Sequence, residues 1–306
     1  MERLCNIAYN RDTEFLLFGG DLIDGYTVSP EDYNMQFNAW KQAVSAYRRS
    51  KSIYTIMGNH ECLSNNYITG KKYGLSVDKW PYDTMSSEVL FARNFVNPTN
   101  GPKQEHKGRP SYTESVYSYQ YGNVKFVCLN NNYWVSYLPH KTGGSPEGYF
   151  FQDQIKWLER QLEAAEDDRS VDHIIISMHE PMFPNGGHIT DTMWYLGDNK
   201  WRGHTYDHEK GKLVPEQKGI IEVRNQIAKM VTNSSKVAVV LGSDEHSYSR
   251  LLIDENTPCG NLETDDKNGD NFLSWPDEQV RQSRISGSPL GLLPAVVQVH
   301  LTMPKR

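Results

Sequence analysis

Ile53-Tyr54-Thr55-Ile56-Met57-Gly58-Asn59-His60-Glu61 is a short apolar run that ends in glycine and then in three side chains able to bind a cation or carry a proton. The pattern recurs three times. Phe15-Leu16-Leu17-Phe18 leads into Gly19-Gly20-Asp21-Leu22-Ile23-Asp24-Gly25, and Ile174-Ile175-Ile176-Ser177-Met178 into His179-Glu180-Pro181. Val237-Ala238-Val239-Val240-Leu241 leads into Gly242-Ser243-Asp244-Glu245-His246. Brief apolar runs bounded by turn residues read as buried strands. In an open α/β sheet, ligands bind at the carboxyl ends of the strands. Four ends supplying Asp, Asn and His therefore point to a metal site.

Working outward, the segment between the first two runs is a helix. Ser29 caps it, Pro30 takes the first helical position, and Phe37, Trp40, Val44 and Tyr47 follow at spacings of three and four, up to about Arg49. Strand, helix, strand is a crossover unit, so these two strands are parallel. Leu4, Ile7 and Ala8 mark the end of a helix in residues 1–12. Residues 62–113 are polar and broken by Pro81, Pro98, Gly101, Pro102 and Pro110, with one short helix near 84–93. Gly122-Asn123 joins strands at 116–119 and 125–129 as a hairpin, and the second strand runs into Asn130, Asn131 and Asn132. Helices are expected from Gln152 to about Glu166 and through Ile220, Val223, Ile227 and Met230. Further strands are expected at Ser249–Ile253 and Ala295–Leu301. Segments 180–215 and 254–283 show little periodicity and read as loops. Site residues come from both halves, so 1–306 reads as one domain with insertions near 62–113, 180–215 and 254–283.

The 306 residues are 38% hydrophobic and 23% charged, a globular composition, and the net charge of -6 with no basic block gives no nucleic-acid-binding surface. Cys5, Cys62, Cys128 and Cys259 lack metal-binding spacing and read as free thiols. No apolar run is long enough to span a membrane, and no signal peptide is present; the compartment stays open.

Asp21 offers a carboxylate able to bridge two cations, Asn59 a neutral oxygen, and His179 and His246 imidazole nitrogens. Such a mixed oxygen and nitrogen set suits Mn, Fe or Zn. His60, beside Asn59, is placed to protonate a leaving oxygen. The order Gly-Asp-x-x-Asp, then Gly-Asn-His-Glu, then strand ends bearing His179 and His246, resembles the calcineurin-like metallophosphoesterases, in particular the purple-acid-phosphatase-like branch. That resemblance implies an α/β, four-layer sandwich in which two mixed β-sheets pack together and are flanked by helices. It implies hydrolysis of a phosphoester, by a metal-activated hydroxide with His60 assisting. The substrate would be a small-molecule phosphoester, with a nucleotide among the candidates. Carried over residue by residue, Asp21 bridges, Asn59 and His179 bind the second metal and His246 the first, and His188 matches the branch's substrate-side histidine.

Two departures from the family pattern bear on function. The family opens with Asp-x-His on an earlier strand, yet only 20 residues precede Asp21 and none forms that motif, so the domain reads as N-terminally incomplete. The family's Gly-His-x-His appears as Ser243-Asp244-Glu245-His246, which puts Asp244 where a second-metal histidine belongs. The second metal keeps Asp21, Asn59, His179 and Asp244; the first keeps only Asp21 and His246. One well-held metal beside a weak or empty position is the expectation. The alternative function is then a non-catalytic or weakly active homologue that acts as a binding or scaffold protein.

Overall fold

A computed structural model describes residues 1–27, 29–62, 82–103, 106, 108–183, 188, 190–246, 250–254 and 298–302. The strands are β1 (Phe15–Phe18), β2 (Ser52–Thr55), β3 (Tyr117–Tyr121), β4 (Val124–Cys128), β5 (His173–Ser177), β6 (His204–Asp207), β7 (Lys212–Pro215), β8 (Val237–Gly242), β9 (Arg250–Ile253) and β10 (Gln298–Thr302). The helices are α1 (Glu2–Asn10), α2 (Pro30–Ala43), α3 (Ser45–Arg48), α4 (Tyr82–Met85), α5 (Ser87–Ala92), α6 (Pro139–Thr142), α7 (Gln152–Asp167) and α8 (Ile220–Asn233).

β1 and β2 pair in parallel as one sheet. A second, mixed sheet runs β3-β4-β5-β8-β10-β9, with β4, β5 and β8 parallel to one another and β10 antiparallel to β8. Strand alternation explains how the sheets stack. On the first sheet Leu16, Phe18 and Ile53 face Phe37, Trp40 and Val44 of the α2 region. Leu17 and Tyr54 face the other way, onto Tyr117, Tyr119 and Cys128 of the second sheet. Phe15, Tyr54, Tyr119 and Phe126 form an aromatic ladder there, with Tyr54 stacked on Tyr119 at 3.7 Å. The far face of the second sheet is covered by Ile155, Leu158 and Leu162 of α7 and by Ile220, Val223 and Ile227 of α8. Helices, sheet, sheet, helices: the α/β sandwich with mixed sheets is as expected.

Local signals did what the sequence implied. Ser29 Oγ accepts the Asp32 amide at 3.2 Å, with Pro30 opening α2. One expected helix is two, because Val44 takes ψ 6° and interrupts α2 from α3, while Val44 and Tyr47 both stay buried in the same core. The segment 180–215 contains an unforeseen hairpin, β6–β7. Its strands are mostly half-exposed and polar, so no apolar alternation marks them. Its turn is set locally instead: Asp207 Oδ1 accepts the amides of Glu209 and Lys210, and Gly211 takes φ 63°. Cys5, Cys62 and Cys128 are buried and form no disulfide among the described residues. Cys259 and most of 254–283 lie outside the described residues, and no helix among those described is long and apolar enough to cross a membrane.

Candidate metal centre

β1, β2, β5 and β8 end on one side of the sandwich, and their loops meet there. The loop after β1 and the loop after β2 are joined by Glu61. Its fully buried carboxylate accepts the backbone N–H groups of Asp21 (2.9 Å), Leu22 (2.7 Å), Ile23 (3.2 Å) and Gly58 (2.7 Å). Burial, and then the Asp21 charge, push Glu61 up to about 7, against the pull of those amides. The approach leaves no room for side chains. A Cβ on Gly58 would collide with the Asp21 carboxylate, and one on Gly20 with the His179 ring. Gly20 also takes φ 103°, which only glycine adopts freely.

His179, on the loop after β5, is completely buried. Its Nδ1 lies 2.6 Å from the Gly19 carbonyl, so Nδ1–H donates and Nε2 is turned inward. Nε2 stands 3.3 Å from Asp21 Oδ1 and 3.4 Å from Asp244 Oδ1. Burial alone would lower the His179 pKa. The Asp21 and Asp244 carboxylates outweigh it and raise it well above the usual imidazole range. Asp21 is held down at about 2 despite burial, through His179 and then His60. Asp244 is lowered as well, burial being outweighed by the His179 imidazole beside it. Asp21 and Asp244 both sit in the left-handed region, at φ 53° and 59°, strain of a kind that concentrates at functional sites.

Asp21, His179 and Asp244 thus form a cluster able to coordinate a single metal ion, with ligand atoms all within 4.8 Å of one another. The donor set fits a cation on this structure's own evidence. His179 Nε2 and Asn59 Oδ1 are buried without a hydrogen-bond partner, an arrangement a protein avoids unless something else satisfies them.

The other sequence-derived residues are placed around this cluster. His60 N–H donates to Asp21 Oδ1 at 3.2 Å, its Nδ1 meets the Asp24 carbonyl at 2.6 Å, and its Nε2 lies 4.0 Å from Asp21 Oδ2. Asn59 stands between Gly58 and His60 in the same loop. His188 Nδ1 lies between Asp191 Oδ1 (3.2 Å) and Asp244 Oδ2 (3.3 Å), and the Asp191 hydrogen bond, assisted by the Asp244 charge, raises its pKa to about 9. His246 is exposed and outside the three-residue cluster, its ring 6.4 Å from that of His188. Trp194, in the segment 180–215 that reads as a loop, is buried in the main core with Arg224 over its ring.

The profile of the calcineurin-like phosphoesterases matches residues 2–248. The chain belongs to that family. Among solved structures it is similar to a purple acid phosphatase, PPD1, from yellow lupin (Lupinus luteus), at 13% identity and a TM-score of 0.45, over 82% of this chain and 37% of that one. It is also similar to PhoD, at 13% identity and a TM-score of 0.47, over 85% of this chain and 52% of that one. The chain therefore spans about half or less of the length of these two structures. No curated protein matches it.

In this member of the calcineurin-like phosphoesterase family, sequence reasoning passed over two supports of the centre. Glu61 was visible as part of Gly-Asn-His-Glu, but its work, collecting amides from a loop some 40 residues earlier, has no sequence signature. The Asn130-Asn131-Asn132 run was visible too. Asn131 brackets Glu180 by accepting its amide (3.1 Å) and donating to its carbonyl (2.8 Å), and Asn132 donates to Glu180 Oε1 at 3.0 Å. Three polar side chains at a buried strand end were the available signal, and two of them, Asn131 and Asn132, fix the loop that carries His179.

Proposed function

We propose that this calcineurin-like phosphoesterase is a weakly active or non-catalytic homologue that binds one divalent metal, Mn, Fe or Zn, and through it a phosphoester group. The observation carrying this reading is His179 Nε2, wholly buried, aimed at two carboxylate oxygens and lacking a hydrogen-bond partner. Asp21, His179 and Asp244 would hold the ion, with Asn59 as a further oxygen donor. When bound, the metal supplies Lewis-acid charge for a phosphoryl oxygen. The Gly19 carbonyl fixes the His179 tautomer, a role backbone oxygens commonly play for ligating imidazoles. His246 is exposed and away from the three, which leaves a second position without a comparable donor set among the described residues.

Hydrolytic turnover is the second reading, favoured by the setting of His60. With Nδ1 engaged by the Asp24 carbonyl, Nε2 remains on the Asp21 side, where a proton could pass to a leaving oxygen. Elemental mass spectrometry of protein purified without chelator, together with p-nitrophenyl phosphate and bis(p-nitrophenyl) phosphate assays, separates the two. About one ion per chain, lost in His179→Ala, with turnover near background supports the first. About two ions and turnover abolished by His60→Ala would replace it with the second.

A further inference from the structure

At the opposite end of β2 from the metal centre lies a cavity of about 420 Å³, within the range of small-molecule sites. One side is apolar: Trp40, Ile53 and Phe95 line it, and Trp40 packs edge-on against Phe95 at 5.7 Å. The other side is basic, with Lys41, Arg48 and Lys51. In a chain of net charge -6 this is a local reversal of sign. The compensation is unequal. Lys51 is paired with Asp12 at 2.9 Å. Lys41 donates to the neutral Asn94 side chain at 2.7 Å and sits 5.8 Å from the Phe95 ring centre. Among the described residues no carboxylate pairs with Lys41 or Arg48. Burial, and then the Arg48 charge, lower the Lys41 pKa, so the ammonium is half-desolvated beside a like charge. Such a pair is stabilised by an anion.

We infer that this cleft is a second ligand site, separate from the metal centre, for a small organic anion with a phosphate-like head and an apolar ring. The head bridges Lys41 and Arg48, with Lys51 at the edge. The ring lies on Trp40, Ile53 and Phe95. Neither half suffices alone: two cations partly in water hold a bare anion weakly, and an apolar wall of this size discriminates poorly.

The test is isothermal titration of the full chain with phenylphosphonate, which resists phosphatases, beside inorganic phosphate and benzyl alcohol. At a site that chelator treatment leaves intact, one phenylphosphonate should bind per chain, with phosphate and benzyl alcohol each at least about tenfold weaker. Arg48→Glu alters an exposed side chain, so the fold is expected to persist. It should weaken phenylphosphonate about tenfold, and Lys41→Gln should do so to a smaller degree. Chelator treatment should leave this affinity unchanged. No heat up to about 10 mM, or equal binding by wild type and Arg48→Glu, overturns the site. Binding lost on chelator treatment overturns it as well, because the anion would then be at the metal centre. Should Arg48→Glu alter the thermal melt, the Lys41→Gln titration decides by the same criteria.

Discussion

The loops after β2 and after β8 carry similar-looking motifs, Gly-Asn-His-Glu and Ser-Asp-Glu-His, yet they are held in different ways. The first is fastened from within: Glu61 gathers four backbone amides, and glycines at 20 and 58 let the chains touch. The second is attached at its root, where the Ser243 amide donates to the His179 carbonyl at 2.7 Å, and then turns through Asp244 (φ 59°) to an exposed His246 (φ 39°). Asp244 reaches the cluster and His246 does not. Ligand residue types at a strand end are thus insufficient. Asp244 and His246 share one loop, and the backbone turn between them decides which of the two converges.

Substitutions that break this contrast should have graded effects. Gly58→Ala is the most damaging, because the added carbon lands on the Asp21 carboxylate and next to the His179 ring. It should abolish metal binding and cost about 3 kcal/mol or more in urea unfolding. Glu61→Ala follows. It removes one buried acceptor from four N–H groups, so about 3 kcal/mol of stability should go, together with most of the metal affinity, both measured on one preparation. Acidification should act next. The raised pKa of His179 means that its proton must leave before a cation enters, so affinity rises with pH, by about tenfold per unit, until the pH passes that pKa. A zinc titration at several pH values checks the sign, and a flat profile would remove His179 from the ligand set. Asp244→Asn keeps shape but loses charge; it should weaken the metal about tenfold and barely move stability. His246→Ala should do least, within about 0.5 kcal/mol and with unchanged metal content.

Much of this architecture could be read from sequence because period and punctuation agreed. Phe15–Phe18, Ile174–Ser177 and Val237–Gly242 are apolar runs with glycine or polar ends, and Ser29-Pro30 announced α2. The β6–β7 hairpin escaped because its strands are partly solvated and its turn is made by one Asp side chain and Gly211. At the centre, Asp21, His179 and Asp244 were each nameable in advance. Their convergence was not, since it depends on bonds between segments far apart in the chain: Glu61 to Leu22, Asn132 to Glu180, His179 to Gly19. Exposure of His246 depends on a single backbone turn, which composition does not report.

The His179 Nδ1 bond to the Gly19 carbonyl links a loop of one sheet to a loop of the other. Sliding of the two layers past each other would break that bond while the aromatic ladder between them remained in contact, because flat rings tolerate lateral displacement better than one directional hydrogen bond does. An ion held by Asp21, His179 and Asp244 would therefore also tie the loops of the two sheets together. Slower amide exchange at Gly20 and Glu180 on adding zinc, with no substrate present, would show that tie.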